Sequence, residues 1–430
     1  MKMKKILIIL YYWPPAGGAG VQRWLKFVKY LPEMGWQPTV ITTQDGDYPA
    51  LDESPQNDIP PSVEVIRTET PTFRFLFGKN KTDQIPYGSL QSQKDDSAKK
   101  KILIWLRLNF IVPDARVIWN KRAYKAAHRI LQKNDHRIVI TSGPPHSTHL
   151  IGMKLKKKFP VKWIADFRDP WTTIDYLKKM KRSFFIEWID RFLEQKAVHN
   201  SDLIISINRQ ILHDLKAESK GFIIPNGFDP EDFATDIEQS IDKFIIGYFG
   251  NITPDRNPAK LVRAIIAKKD NFSELELHFW GNIDSNVKDE ISGLDRERII
   301  KFQPYLSHQK SVQAMQSSNI LLLIINDVPD NLGIITGKIF EYIGAGRPIL
   351  GLGPVEGEAA EILKETKAGE MFSIENLAGQ INFIKENYLK WKEGKQTSVK
   401  SDSAAYDRRI LTEILSEKLK EILEKPPITR

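Results

Sequence analysis

The sequence predicts an α/β chain made of two doubly wound domains. Three observations carry this. Short β-rich apolar runs alternate with stretches of helical periodicity, glycine-containing turns close several of those runs, and the rhythm breaks near 230–242 and starts again. Apolar strands separated by helices form parallel sheets covered on both faces. A length of 430 residues leaves room for two or three domains.

The first half opens with KKILIIL (4–10), a buried strand rather than a secretion signal, because its apolar run is short and Pro-Pro and Gly-Gly follow it. Val21, Trp24, Leu25, Val28 and Leu31 then recur at helical spacing and predict a helix over 21–34. QPTVITT (37–43), RIVITSG (137–143), KWIADF (162–167), DLIISIN (202–208) and GFIIPNG (221–227) read as further strands, with a helix over 184–199. The stretch 50–98 is rich in Pro, Gln, Ser and Asp and reads as a long insertion. The first domain is expected over 1–236.

Residues 228–240, FDPEDFATDIEQS, are acidic and irregular and mark the boundary. After them KFIIGYFG (243–250), LELHFWG (275–281), RIIKFQP (298–304), NILLLII (319–325) and RPILGLG (347–353) are strands, with helices over 257–268 and 337–345. This gives a second domain over 237–400. In the tail, Tyr406, Ile410, Ile414, Leu415, Leu419 and Ile422 lie at helical spacing and Pro426-Pro427 end the run. That helix, 404–425, is expected to pack back onto the first domain. Doubly wound sheets bind ligands at the carboxyl ends of their strands. Two of them facing across a deep cleft suit an enzyme with one substrate per domain.

Composition narrows the chemistry. There is no cysteine, which removes disulfides, zinc–thiolate sites and cysteine nucleophiles and fits a cytoplasmic protein. No run reaches the roughly 18 apolar residues of a membrane span. The net charge of +9 is uneven: 94–182 holds 22 basic against 7 acidic residues, and the rest holds 41 against 47. In that basic segment Trp105, Phe110 and Ile111 stand near Lys99, Lys100 and Lys101. The combination suits peripheral binding to an anionic membrane; a solvated basic face, with the aromatics buried, is the alternative. No zinc finger, RNP or KH pattern points to nucleic acid.

Five segments can carry chemistry. Gly17-Gly18-Ala19-Gly20 lies between the first strand and helix, where backbone N–H groups and the helix N-terminus can meet a phosphate; a tight turn is the plainer reading. Arg23 stands where a third glycine would complete G-x-G-x-x-G, against a standard NAD site. His146, in SGPPHSTH (142–149), follows a strand, although a lone histidine is usually structural. The loop ADFRDPW (165–171) brings Asp166, Arg168 and Asp169, either toward an acceptor or into their own salt-bridge network. Gly250 and Asn251 end a strand, with Arg256 placed to reach a diphosphate. In GIITGKIFEYIGAGRPIL (333–350), Glu341 lies in the first turns of a helix, where it either accepts ribose hydroxyls or stabilises the helix dipole. The N–H groups from Ile334 to Lys338 can hold phosphate.

In order and spacing, these segments resemble the retaining glycosyltransferases of family 4, with the GT-B fold, over nearly the whole chain. The variant GKIFEYIGAGRP is similar to members acting on surface polysaccharides. The resemblance implies transfer of a sugar from a nucleoside diphosphate sugar to a glycan or lipid-linked acceptor with retained configuration, without a metal, a cofactor or a protein nucleophile. It implies that Gly17, Gly18 and Gly20 touch donor diphosphate and sugar, that His146 contacts the sugar, and that Arg256 and Lys338 carry diphosphate charge. Asp166, Arg168 and Asp169 would lie on the acceptor side. The G-R-x-x-x-x-K-G pattern keeps its second cation as Arg256 and has Asn251 at its first. The E-x7-E motif keeps its second glutamate as Glu341, for the ribose, and has Gly333 at its first, so the N–H groups of Ile334 and Ile335 are left to hold sugar hydroxyls. A nucleotide-sugar epimerase of the same fold and a non-catalytic sugar- or nucleotide-binding protein are the competing classes; the first would turn over without an acceptor.

Overall fold

The computed structural model describes residues 3–46, 48, 51–70, 105, 108–174, 182–234, 237, 242–295, 298–304, 306–395, 399 and 402–424. Lys99, Lys100 and Lys101 lie outside them. The chain divides into two compact units, 1–225 with 411–430, and 226–410, so the division falls at Pro225 rather than at 236.

The first unit runs β1 (Lys4–Ile9), α1 (Ala19–Tyr30), β2 (Trp36–Thr43), β3 (Glu64–Thr68), α2 (Asn120–Lys133), β4 (His136–Gly143), α3 (His149–Lys158), β5 (Lys162–Phe167), α4 (Phe184–Asn200), β6 (Leu203–Ser206), α5 (Arg209–Asp214) and β7 (Gly221–Ile223). Its sheet is ordered β3-β2-β1-β4-β5-β6-β7, and every pairing is parallel. Ile6, Leu7, Ile8 and Ile9 are all buried, as an unbroken apolar strand at the centre of a sheet covered on both faces must be. One face packs α2, α3 and α4, through residues such as Ala127, Leu155 and Ala197. The other packs α1 and the C-terminal helix, Arg408–Glu424.

Three expectations change here. The predicted insertion 50–98 contains β3, which pairs with β2 as an edge strand; its half-buried EVIRT lacks the apolar run that revealed the other strands. The helix predicted over 21–34 leaves α-geometry at Tyr30 and tightens into a 3₁₀ turn over Leu31–Met34, because Pro32 cannot continue the ladder, and Gly35 (φ 84°) ends it. The C-terminal helix buries Leu411, Leu415, Leu419 and Ile422 against the first unit, while Ile414 is exposed and Tyr406 belongs to the second unit's core. Trp36 Nε1 donates to Ser416 Oγ at 2.9 Å and fixes the helix's register. Full burial of side chains of this size contributes about 1.5–3 kcal/mol each.

The second unit runs β8 (Phe244–Phe249), α6 (Ala259–Ile266), β9 (Leu275–Trp280), α7 (Ser285–Leu294), β10 (Ile300–Gln303), α8 (His308–Ser317), β11 (Ile320–Ile324), α9 (Lys338–Ala345), β12 (Ile349–Leu352), α10 (Glu358–Thr366), β13 (Gly369–Phe372) and α11 (Leu377–Lys392). The order β10-β9-β8-β11-β12-β13 is again wholly parallel. Each sheet has one place where the winding direction reverses, between β1 and β4 in the first and between β8 and β11 in the second. The loops leaving those four strands are where ligands bind in such sheets. They carry Gly17–Gly20, His146, Gly250–Arg256 and the approach to Lys338.

Candidate functional site

In the second unit the loop after β8 and the start of α9 come together. Gly250 has φ 139°, open to glycine, and a Cβ there would overlap Lys338 Cε. Glycine is therefore required twice, for backbone conformation and to admit the lysine. Lys338 is the first residue of α9, after the Gly337 N-cap, and no side chain caps this helix. Burial pushes the Lys338 ammonium below its ordinary pKa; Glu341 opposes that shift and Arg256 adds to it. Two cations and an uncapped helix N-terminus thus share one spot, an arrangement that favours an anion.

Both ends of the Arg256 loop are braced. Arg256 Nε donates to Asn326 Oδ1 at 2.7 Å, Asn326 Nδ2 donates to Asp255 Oδ2 at 2.6 Å, and Asp327 N donates to Asp255 O. Asn326 follows β11, so the two strands at the reversal point jointly aim the arginine. Tyr248 lies beneath, its hydroxyl donating to Asn251 O at 2.9 Å and its pKa raised by burial. Asn251 itself is exposed. Glu341 falls in the first turn of α9, as expected, with His308 Nδ1 3.8 Å from its Oε1 and His308 Nε2 3.1 Å from Asp232 Oδ2. Neither His308 nor Asn326 stands out in sequence, since each reaches the site only through the sheet order. One expectation changes. The Ile334 N–H donates to Asn331 O at 3.1 Å, so a turn consumes one of the two N–H groups expected to meet sugar hydroxyls.

The first unit uses its strand ends differently. Asp166 is fully buried. Its Oδ1 accepts from Arg23 Nε (3.2 Å) and Nη2 (3.0 Å), and its Oδ2 from Trp24 Nε1 (2.7 Å) and Ser142 Oγ (2.6 Å). Four donors fill the carboxylate, so it holds β4, β5 and α1 together, as in the salt-bridge alternative for this loop. Arg23, the residue that breaks the dinucleotide pattern, is its buried partner. Arg168 donates to Gly143 O (3.2 Å), Pro144 O (2.7 Å) and Gly20 O, which ties three loops with one guanidinium. A Cβ on Gly20 would sit 2.8 Å from Arg168 Nη1, so Arg168 accounts for this glycine. Gly18 (φ 97°) is the exposed N-cap of α1, and Gly17 is buried. Of the three charged residues of the ADFRDPW loop, Asp169 alone makes no side-chain hydrogen bond among the described residues. Burial raises its pKa, against Arg168.

His146 sits at the end of β4, stacked on Trp171 at 5.2 Å and 7°. Its Nε2 lies 3.2 Å from Pro170 O, which only accepts, so the proton is on Nε2. Its Nδ1 is buried without a partner, against Gly143. His149 is fully buried, with Nδ1 2.9 Å from Thr141 Oγ1. Burial depresses both rings, His149 to about 3 and His146 well below its ordinary value, so both are neutral at pH 7. His146 therefore lies where expected, but in an aromatic pack that presents neither nitrogen.

No family model matches this sequence, and a search of curated proteins finds no match. Solved structures do match over nearly the whole chain. Sucrose-phosphate synthase from Thermosynechococcus elongatus aligns with a TM-score of 0.62 at 14% identity, covering 98% of this chain and 99% of that one. HepE from Anabaena, in complex with UDP and glucose, gives 0.62 at 14%, covering 97% and 100%. A glycosyltransferase from Rickettsia africae gives 0.63 at 14%, covering 99% and 100%. A structure described as a UDP-N-acetylglucosamine 2-epimerase from Listeria monocytogenes gives 0.57 at 13%, covering 100% and 99%. The fold of this chain is GT-B, the fold of these proteins.

Proposed function

We propose that this chain is a glycosyltransferase that takes a sugar from a nucleoside diphosphate sugar. The observation that carries the reading is Lys338 seated on Gly250 at the uncapped start of α9, within electrostatic reach of Arg256 and with Glu341 in the first turn. The solved structures of HepE with UDP-glucose and with UDP support a nucleotide-sugar donor. Arg256 and Lys338 would take the charge that develops on the departing diphosphate, and the N–H groups opening α9 would add their dipoles. Glu341 would accept from the ribose hydroxyls. Protein cations then do the work of a metal, so turnover should survive chelation.

The finer reading follows the family 4 resemblance. Transfer retains the anomeric configuration by same-face attack, the acceptor is a growing or lipid-linked surface glycan, and the protein works at the cytoplasmic face of a membrane. Among the described residues no helix is long and apolar enough to cross a membrane, so attachment would be peripheral. Asp169 is the acid of the first unit available to an acceptor hydroxyl. A panel of nucleoside diphosphate sugars, assayed for released UDP or GDP with and without lipid-linked glycan, tests the proposal. Release that depends on donor and rises with acceptor is expected. Conversion of the donor sugar to its epimer without acceptor would replace this reading with the epimerase suggested by the Listeria structure.

A further inference from the structure

Helix α4 (Phe184–Asn200) packs Ala197 and Val198 into the core at its C-terminal end, but its first turns are inverted. A helix on a soluble protein buries its apolar stripe and sends its acids to water. Here Phe184, Phe185, Trp188 and Phe192 are 83%, 64%, 55% and 52% exposed. Two of the helix's three acids are buried instead: Asp190 accepts from Trp171 Nε1 (2.8 Å) and Arg182 Nη2 (2.9 Å), and Glu194 from the Thr172 N–H (2.9 Å). The exposed rings form a ladder, Phe185 to Trp188 at 6.1 Å and Trp188 to Phe192 at 6.0 Å, both stacked. A second exposed pair, Trp105 and Phe110, is tied to the start of this helix by Asn109 Oδ1, which accepts from the Ser183 N–H at 2.7 Å.

The charges around this ladder are mainly positive, the half-buried Glu187 being the helix's one acid outside the core. Arg191 and Lys196 share its exposed side, and Lys196 Nζ lies 5.4 Å from the Phe192 ring. In the same helix layer, α3 packs between α2 and α4, and the groove between α2 and α3 is lined by Lys121, Lys154, Lys157 and Lys158. Exposed aromatics bordered by cations match an anionic interface that is apolar below and charged above. A second copy of the chain would bring the same cations against themselves.

We propose that the exposed face of α4, with Trp105 and Phe110, is the surface by which the protein seats on an anionic lipid bilayer. The choice of a bilayer over an acidic protein rests on the transferase reading, in which the acceptor is lipid-linked; the inverted face stands without it. Lys121, Lys154, Lys157 and Lys158, with Arg191 and Lys196, supply attraction, and the ladder supplies insertion.

The test uses the full chain and phosphatidylcholine vesicles with and without phosphatidylglycerol. The protein should co-sediment with the anionic vesicles, and added salt should weaken this. The triple variant Phe185→Ser, Trp188→Ser, Phe192→Ser should lose at least about tenfold in partitioning, and Arg191→Glu with Lys196→Glu should also weaken it. These side chains are exposed, so circular dichroism and UDP affinity should match the unaltered protein. Of ten tryptophans, Trp105 and Trp188 are the exposed ones. Brominated acyl chains should therefore quench the unaltered protein's fluorescence on vesicle binding. Full vesicle binding by the serine variant, or binding without quenching, overturns the proposal. So does a dimer that the serine variant makes monomeric while neither protein binds vesicles. Vesicle binding without any nucleotide binding would sink the transferase reading and leave this one standing.

Discussion

The two units repeat one topology, yet their strand ends do opposite things with charge. At the reversal point of the first unit, Asp166 is filled by Arg23, Trp24 and Ser142, Arg168 is spent on three carbonyls, and both histidines are held neutral. At the reversal point of the second, Lys338 lies within electrostatic reach of Arg256 and Glu341, burial lowers its pKa, and Asp255 reaches Arg256 through Asn326. Charge satisfied inside the protein builds structure, and charge left over awaits a ligand. Position at a strand end is the same in both units and does not distinguish them.

The largest effect expected lies on the satisfied side. Asp166→Ala removes the carboxylate paired with the fully buried Arg23, which keeps the Pro225 carbonyl, and removal of one partner of a buried pair costs about 3–5 kcal/mol. Denaturant unfolding should show that loss. If stability is unchanged and only turnover falls, the contrast between the two units breaks down. On the other side, Arg256→Ala should weaken UDP binding by about 1.5–3 kcal/mol, the range of a hydrogen bond to a charged group. Calorimetry should find the loss for UDP but not for uridine, with stability near that of the unaltered protein. Glu341→Ala should cost about 1–2 kcal/mol and act on UDP and uridine alike, because the ribose is common to both. A loss confined to UDP would move Glu341 from the ribose to the diphosphate side.

The smallest effect is a pH dependence. The lowered pKa of Lys338 means that its charge is complete at low pH and is lost as pH rises through that lowered value. UDP affinity should fall over that rise, and Lys338→Arg, which stays charged, should flatten the profile. A parallel fall in the arginine variant would assign the titration to another group.

Much of the fold could be read from the chain because buried parallel strands are continuous apolar runs, and LIISIN or ILLLII cannot hide. The strand Glu64–Thr68 could hide, since an edge strand needs no such run. Arg256, Lys338 and Glu341 were legible because turn glycines and a helix start mark their places locally. The fate of Asp166 was not, because Arg23 lies 143 positions away. The aromatic ladder was invisible for a related reason. Phe185, Trp188 and Phe192 have the spacing of a buried stripe, and only the packing shows that Asp190 and Glu194 took the inside.

The chain leaves the first unit at Pro225 and rejoins it at Leu411, so one domain is threaded through the other's covalent sequence. The two crossing segments are stitched together: the Phe228 N–H donates to Tyr406 O at 3.0 Å and the Arg408 N–H to Phe228 O at 2.9 Å. On a ribosome, order of synthesis and order of completion then part company. Residues 226–410 emerge whole while the earlier half still lacks the helix that completes the core to which Ile6, Ile8 and Trp24 belong. The half made first is finished last, and a nascent chain halted near 405 should hold that apolar sheet face open to chaperones.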